Sequence, residues 1–305
     1  MKQITIGIFH DDTLAKEFGK KATESDMVLF HRKTDDAVFT FIHPVEDKII
    51  PKSQIMNMID IAIISAENIT PALGETILML DSVNMKTGII ITQPYADNDQ
   101  LKKMIKDTSL ESFEIMSKDV HQIIEFLKNQ AIKKDDDAPV LVTIDHFFHV
   151  KGVGEVVLGF VNQGTIKKHD KLKLFPQDKD IIIRSIQIQD KDLDQATSGS
   201  RVGLAIKGIS VEELKRGDLI CEPETVETKK TFSLSFKRNP FYPNPTPGKF
   251  HATIGLQNTP VTISEINDDT ITFETEKPVS YPPHQNCFIL DLNAPKLHHI
   301  GTATT

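Results

Sequence analysis

Val150-Lys151-Gly152-Val153-Gly154-Glu155-Val156-Val157-Leu158-Gly159 is the stretch that decides the fold. Apolar residues flank two glycines spaced by one position. Such a run reads as strand, loop, strand, because glycine takes the tight or positive-φ conformations that other residues avoid. Around it, Val140 to Ile144, Glu155 to Val161, Lys171 to Phe175, Ile181 to Ile188 and Arg201 to Ile206 read as short strands at barrel-like spacing. Long helical periodicity is nearly absent.

Further out, the pattern changes on both sides. A composition shift near Glu222 to Thr228 precedes six more strand candidates: Thr231 to Phe236, Phe250 to Leu256, Val261 to Ile266, Thr270 to Glu274, Cys287 to Leu292 and His299 to Ala303. The Pro-rich loop from Asn239 to Pro247 cannot continue a ladder, since proline lacks the N–H donor. Upstream, Lys133-Lys134-Asp135-Asp136-Asp137-Ala138-Pro139 reads as a charged linker. Before it, strands and helices alternate. Ile4 to Phe9, Met27 to Phe30, Val38 to Ile42, Ile59 to Ala66 and Thr87 to Thr92 read as strands, the last two as near-continuous apolar runs buried on both faces. Thr13 to Lys21, Pro71 to Asn84, Asn98 to Ile105 and Val120 to Gln130 read as helices. The expectation is an α/β domain with a mostly parallel sheet over residues 1–132, a linker over 133–139, and two antiparallel β-barrels over 140–225 and 226–305.

Composition bounds the function. The 305 residues are 39% hydrophobic and 26% charged, and Asp+Glu outnumber Lys+Arg by 43 to 35. A formal charge of −8 argues against non-specific nucleic-acid binding over the whole surface, and no DNA partner is expected. No apolar run approaches the roughly 20 residues that span a bilayer. Met1-Lys2-Gln3-Ile4-Thr5-Ile6 enters a strand directly, without the look of a signal peptide. The two cysteines, Cys221 and Cys287, form no disulfide framework, and a reduced, cytoplasmic protein is the natural expectation.

Landmarks in the middle barrel carry a family resemblance. Ile144-Asp145-His146 leads into the glycine stretch; then follow Gly164, His169-Asp170-Lys171-Leu172, Arg184-Ser185-Ile186-Gln187, Gly199-Ser200-Arg201-Val202-Gly203, Lys207-Gly208 and Arg216-Gly217-Asp218. In this order they resemble domain two of EF-Tu, SelB and initiation factor two gamma, with the archaeal SelB-like branch most similar. The third domain resembles the family more loosely, through Asn239-Pro240-Phe241, Gly255-Leu256-Gln257 and Lys277-Pro278. The resemblance implies a GTPase-like first domain followed by EF-Tu-like domains two and three.

That first domain lacks what a translational GTPase uses. A Gly-rich loop ending in Gly-Lys-Ser/Thr cradles the phosphates with N–H groups and a lysine. Here His10-Asp11-Asp12-Thr13 stands instead, with two carboxylates where a triphosphate would sit and no compensating cation evident nearby. At about 4 Å and an effective dielectric near 20, each like-charge contact costs on the order of 4 kcal/mol. Asp11 or Asp12 has a simpler use, capping the following helix. The metal-contacting Asp-x-x-Gly is replaced by His43-Pro44-Val45-Glu46-Asp47, and the guanine-reading Asn-Lys-x-Asp by Gln93-Pro94-Tyr95-Ala96-Asp97. Too little chain lies between Thr23 and Val38 for a full first switch.

Other constellations carry less. His146 and His149 in Asp145-His146-Phe147-Phe148-His149 have odd spacing, which in a strand sets them on opposite faces and defeats joint metal coordination. His298-His299 has the same problem, and neither thiol sits in a nucleophile context. Lys167-Lys168, Lys171 and Lys173 read as a solvated hairpin face in preference to an RNA-phosphate contact.

In EF-Tu a pocket on domain two holds the 3′ adenosine and aminoacyl group of tRNA. The resemblance carries that surface to Asp145, His146, Phe148, Val156, Leu158, Gln187, Arg201 and Ala205. Phe148 offers a stacking wall, Asp145 and Gln187 offer hydrogen bonds to a base edge, and Arg201 a charge for a phosphate or carboxylate. Gln187 stands where EF-Tu has Glu, and Leu158 replaces a Thr. The implied function is a translation elongation factor-like protein without GTP hydrolysis, binding tRNA, ribosome or a translation factor through its barrels. No catalytic residue, metal or cofactor is expected. The alternatives are a divergent GTPase using GTP and Mg²⁺, and a scaffold or assembly protein that inherited the fold.

Overall fold

The computed structural model describes residues 1–95 and 97–305. The first domain runs β1 (Lys2–Phe9), α1 (Leu14–Phe18), β2 (Lys20–Glu24), β3 (Met27–Lys33), β4 (Ala37–Pro44), α2 (Ile49–Met56), β5 (Ile61–Ser65), α3 (Pro71–Ser82), β6 (Gly88–Thr92), α4 (Asp99–Ile105), β7 (Glu114–Ser117) and α5 (Val120–Asn129). Its seven-stranded sheet has the order β2-β3-β4-β1-β5-β6-β7. From β4 to β7 all neighbours are parallel, and two antiparallel pairings add β3 and β2 at one edge. Apolar side chains fill both faces: Ile4, Ile6 and Ile8 pack with Leu14, Phe18 and Ile123 on one side, while Phe9, Ala62 and Ile64 pack with Ile55, Leu73 and Ile77 on the other. Thr70 caps α3 by accepting from the Leu73 amide at 3.1 Å, with Pro71 in the first turn where its missing N–H costs nothing.

Two local expectations need correction. The helix expected over Thr13 to Lys21 is a single short turn, Leu14–Phe18, after which the chain becomes the edge strand β2. Gly19 ends it in an extended conformation, so close to β3 that a Cβ there would lie 2.5 Å from the His31 carbonyl oxygen. Helix α2, with Pro51 in its first turn, and the edge strand β7 stand where no element was expected.

In the middle domain β8 (Leu141–Val150) and β9 (Gly154–Gln163) form the hairpin read from the glycines. Gly152 and Gly154 have φ of +86° and +104°, in open space, so their backbone conformation is what requires glycine. Lys171–Phe175, Lys179–Ile188, Arg201–Lys207 and Leu219–Cys221 complete a closed six-stranded barrel. The third domain closes six strands as well: Glu227–Arg238, Gly248–Ile254, Gln257–Ile266, Thr270–Tyr281, Asn286–Leu290 and His299–Thr304. The fold is therefore a mostly parallel α/β domain followed by two antiparallel β-barrels.

The segment Lys133–Pro139 forms neither helix nor strand, yet it is held at several points. Lys134 pairs with Asp60 at 2.7 Å, the Gly164 amide donates to the Asp135 carbonyl at 2.7 Å, and Asp136 accepts from the Ser198 amide at 3.0 Å. Between first and third domains, Gln54 Nε2 donates to the Leu256 carbonyl (2.6 Å) and Asn57 Nδ2 to the Gly255 carbonyl (3.0 Å). Buried Glu75 Oε1 accepts from the amides of His298 (2.5 Å) and His299 (2.8 Å). No helix among the described residues is long and apolar enough to cross a membrane.

Candidate functional site

The C-terminal ends of β1, β4, β5 and β7 converge on one edge of the first sheet, the position where open α/β sheets bind ligands. A cleft of about 710 Å³ lies there, lined by the His10–Thr13 loop, the His43–Asp47 loop, the loop after β5 and Lys118. Asp11 organises the first of these loops. Its Oδ1 accepts from the amides of Thr13 (2.9 Å) and Leu14 (3.0 Å) and from the Thr13 hydroxyl (2.7 Å). Its Oδ2 accepts from Lys118 Nζ at 3.0 Å, and Lys118 also pairs with Glu17 at 3.1 Å. Burial would raise the Asp11 pKa, but the donors from Thr13, Lys118 and Leu14 outweigh it and hold the carboxyl below its usual range. The capping carboxylate is thus Asp11, while Asp12 stays exposed. The expectation that no cation lies near these carboxylates is corrected by Lys118, which arrives from beyond β7, a strand not read from the sequence.

Deeper in the cleft, His10 adopts φ +64°, its Nε2 within 2.8 Å of Thr76 Oγ1 and its Nδ1 3.7 Å from Asp47. Asp47 forms an ion pair with Lys52, a lysine almost wholly buried on α2. Burial first, and then the Lys52 charge, depress the His10 pKa to about 4 against the pull of Asp47. Of the segment Gln93–Asp97, Ala96 lies outside the described residues; Asp97 accepts from the Asp99 amide at 3.0 Å at the start of α4.

The eight barrel positions divide. Cross-strand register sets Phe148 opposite Val156 and Val156 opposite Ala205, and sets His146 opposite Leu158, Leu158 opposite Gly203 and Gly203 opposite Gln187. Directly paired residues share a face, so His146, Phe148, Val156, Leu158, Gln187 and Ala205 lie together on the outside of the barrel. Phe148 is 44% exposed, Val156, Leu158 and His146 are half-buried, Ala205 is covered, and Gln187 donates to Asp192 at 3.0 Å. Asp145 and Arg201 do not join this face as free groups. Asp145 is buried in the irregularity between Ile144 and His146 and accepts from Arg201 Nη2 at 2.8 Å and from His146 Nδ1 at 2.9 Å. Arg201 also donates to Thr23 Oγ1 of the first domain at 3.2 Å. The two side chains thus bond each other with little exposure, while Asp145 Oδ1 and Arg201 Nε keep no hydrogen-bond partner.

The remaining groups have local partners. His149 meets Glu155 at 3.0 Å, so it and His146 engage different carboxylates. Lys173 pairs with Asp178 at 2.6 Å, while Lys167 and Lys168 are exposed. Cys221 and Cys287 are both buried, and burial raises both thiol pKa values, that of Cys221 to about 12.

Comparison with known proteins agrees with this architecture. Residues 154–221 match the model for elongation factor Tu domain 2. The chain is 36% identical over 306 residues to an uncharacterized protein of Methanocaldococcus jannaschii, covering 99% of each. It is 29% identical over 248 residues to the selenocysteine-specific elongation factor of the same organism, covering 73% of this chain but only 53% of that factor. Translation elongation factor SelB from Methanococcus maripaludis, solved with the GTP analogue GppNHp, superposes with a TM-score of 0.85 at 24% identity, covering 100% of this chain and 79% of that one.

Proposed function

We propose that this chain, which is similar to the SelB/EF-Tu-like translation elongation factors in its middle domain and in its fold, works in translation as a binding protein that neither takes up nor hydrolyses GTP, and that it engages tRNA, the ribosome or another factor through its barrels. One observation carries this reading. Asp11 brings its own carboxylate to the amides of Thr13 and Leu14 and to the Lys118 ammonium. Backbone amides and a lysine are the groups that a phosphate loop offers to a nucleotide. Here an internal anion already satisfies them, and a triphosphate would have to displace it. Asp12, Glu46 and Glu67 add further negative charge around the same cleft.

On this reading the working surface is the outer face of the middle barrel. Phe148 supplies a flat apolar wall, Val156 and Leu158 extend it, and Gln187 supplies a hydrogen-bonding edge. The experiment is calorimetric titration of the full chain with GTP and with GDP in the presence of Mg²⁺. The expected result is no measurable heat of binding; a saturable isotherm with micromolar affinity for either nucleotide would overturn the proposal.

A further inference from the structure

We infer that the seam between the first domain and the middle barrel is a pH-sensitive joint, in which His31 must be neutral for the β2–β3 hairpin to rest on the barrel. His31 pairs with Lys20 of β2 and with Thr40 of β4, and Thr23 pairs with Leu29. Paired residues, and alternate residues of one strand, share a face, so Thr23, Leu29, His31 and Thr40 all lie on one side of the first sheet. That side meets the barrel: Leu29 and Ile42 belong to the same buried apolar cluster as Phe160 of β9. Arg201, whose guanidinium lies 5.8 Å from the Phe160 ring centroid, crosses from the barrel to Thr23 Oγ1. A second arginine of the barrel, Arg216, pairs with Asp26 in the turn between β2 and β3. Two arginines thus fasten the hairpin.

The charges at this seam balance only while His31 is neutral. Asp145 is the carboxylate that draws on the ring from the barrel, and Arg201 already pairs with it at 2.8 Å. His146 Nδ1 lies 2.9 Å from the same carboxylate oxygen. Lys20 stands beside His31 on β2, and Thr40 on β4 offers only a hydroxyl, 3.2 Å from Nδ1. The Asp26–Arg216 pair is closed on itself. An imidazolium would therefore add a cation to a group whose facing carboxylate is already matched. Burial first, and then the Arg201 charge, disfavour the charged ring against a weaker pull from Asp145, and the His31 pKa falls from 6.5 to about 4. With the hairpin lifted away from Arg201, the ring regains water and its ordinary affinity for a proton, so acid favours the released hairpin. Docking is at full strength above pH 6.5 and weakens as pH falls towards 4.

The test is hydrogen–deuterium exchange of the full chain at pH 7 and pH 5, with rates corrected for the intrinsic effect of pH. Strand β2 is an edge strand with β3 as its one ladder partner, so its amides open when the hairpin lifts. Protection over residues 20–33 should fall by about tenfold or more at pH 5, while Gly248–Ile254 and His299–Thr304 of the third barrel keep theirs. His31→Gln, uncharged at both pH values, should abolish the difference. His10 is another first-domain histidine that burial holds neutral, and His10→Gln should leave the fall in place. Unchanged protection in the unaltered chain, the same fall in His31→Gln, or its loss in His10→Gln would overturn the inference. An equal fall across the third barrel would overturn it too, since acid would then unfold the whole chain and not the joint.

Discussion

Arg201 Nη2 donates to Asp145 Oδ2 across 2.8 Å, with side-chain exposures of 9% and 3%. The same nitrogen reaches Thr23 Oγ1 at 3.2 Å, so the pair ties edge strand β2 to the middle barrel. Its guanidinium also lies 5.8 Å from the centroid of the Phe160 ring. Removing one member of a buried pair strands the other charge and typically costs about 3–5 kcal/mol. Arg201→Ala should therefore destabilise the chain by roughly that amount in urea unfolding. Arg201→Met with Asp145→Leu should recover most of the loss, since no charge is left buried. A loss below about 1 kcal/mol for Arg201→Ala would mean that water reaches the pair in solution.

If the outer barrel face binds an RNA end, Phe148 should dominate. Stacking contributes roughly 1–3 kcal/mol per base, so Phe148→Ala should weaken tRNA binding by about tenfold or more. Lys167→Ala, on the exposed hairpin, should change it little. Filter binding with both variants decides between them; the reverse outcome would move the contact to the hairpin and leave the Phe148 face idle.

The relative placement of the three domains should be indifferent to nucleotide. Helix α2 follows the loop that stands in for the metal-contacting switch, and Gln54, Asn57 and Ser53 bond it to the third barrel. The Asp-x-x-Gly that reads a γ-phosphate is missing ahead of that helix, and with it the usual route from nucleotide state to domain placement. Small-angle scattering profiles recorded alone, with GTP and with GDP should superimpose.

Acid should weaken the fold before the carboxylates titrate. Burial, with Lys52 beside His10 and Arg201 beside His31, holds each imidazole near a pKa of about 4, against 6.5 for the free group. Each ring is neutral in the native state, and the unfolded chain takes the proton first. Their contribution is full above pH 6.5 and declines as pH falls towards 4, at up to about 1.4 kcal/mol per pH unit for each histidine. Asp218 acts in the opposite sense: burial lifts its pKa to about 6, so its contribution is lost as pH rises through that value. His31→Gln should flatten the dependence of the urea midpoint between pH 6.5 and 4; an unchanged slope would show that His31 is not the group responsible.

The strand, loop, strand reading of Val150 to Gly159 and the positive φ at Gly152 and Gly154 were legible because a tight hairpin and glycine conformation are local properties. The same holds for the missing phosphate loop, which is a matter of which residues stand between β1 and α1. The short edge elements were less legible. Strand β2 is polar, and nothing in Lys20 to Glu24 alone separates it from the end of a helix, whereas Gly19 against the His31 carbonyl does.

Charge pairing belongs to tertiary structure. Asp11 and Lys118 lie 107 positions apart, and Arg201 and Thr23 178 apart, so no local pattern announces either contact. Whether an arginine faces water or a buried carboxylate depends on what packs over it, and for Arg201 that cover comes from another domain. The sequence by itself determined the α/β domain, the two barrels, the family resemblance and the absence of the nucleotide motifs, because each is written in neighbouring residues. Only the folded chain decided that Asp11 would be answered by Lys118, that Arg201 would bond both Asp145 and Thr23 of the first domain, and that His43 would be buried with one nitrogen unpartnered. Those outcomes depend on distance and desolvation between residues that meet only after folding.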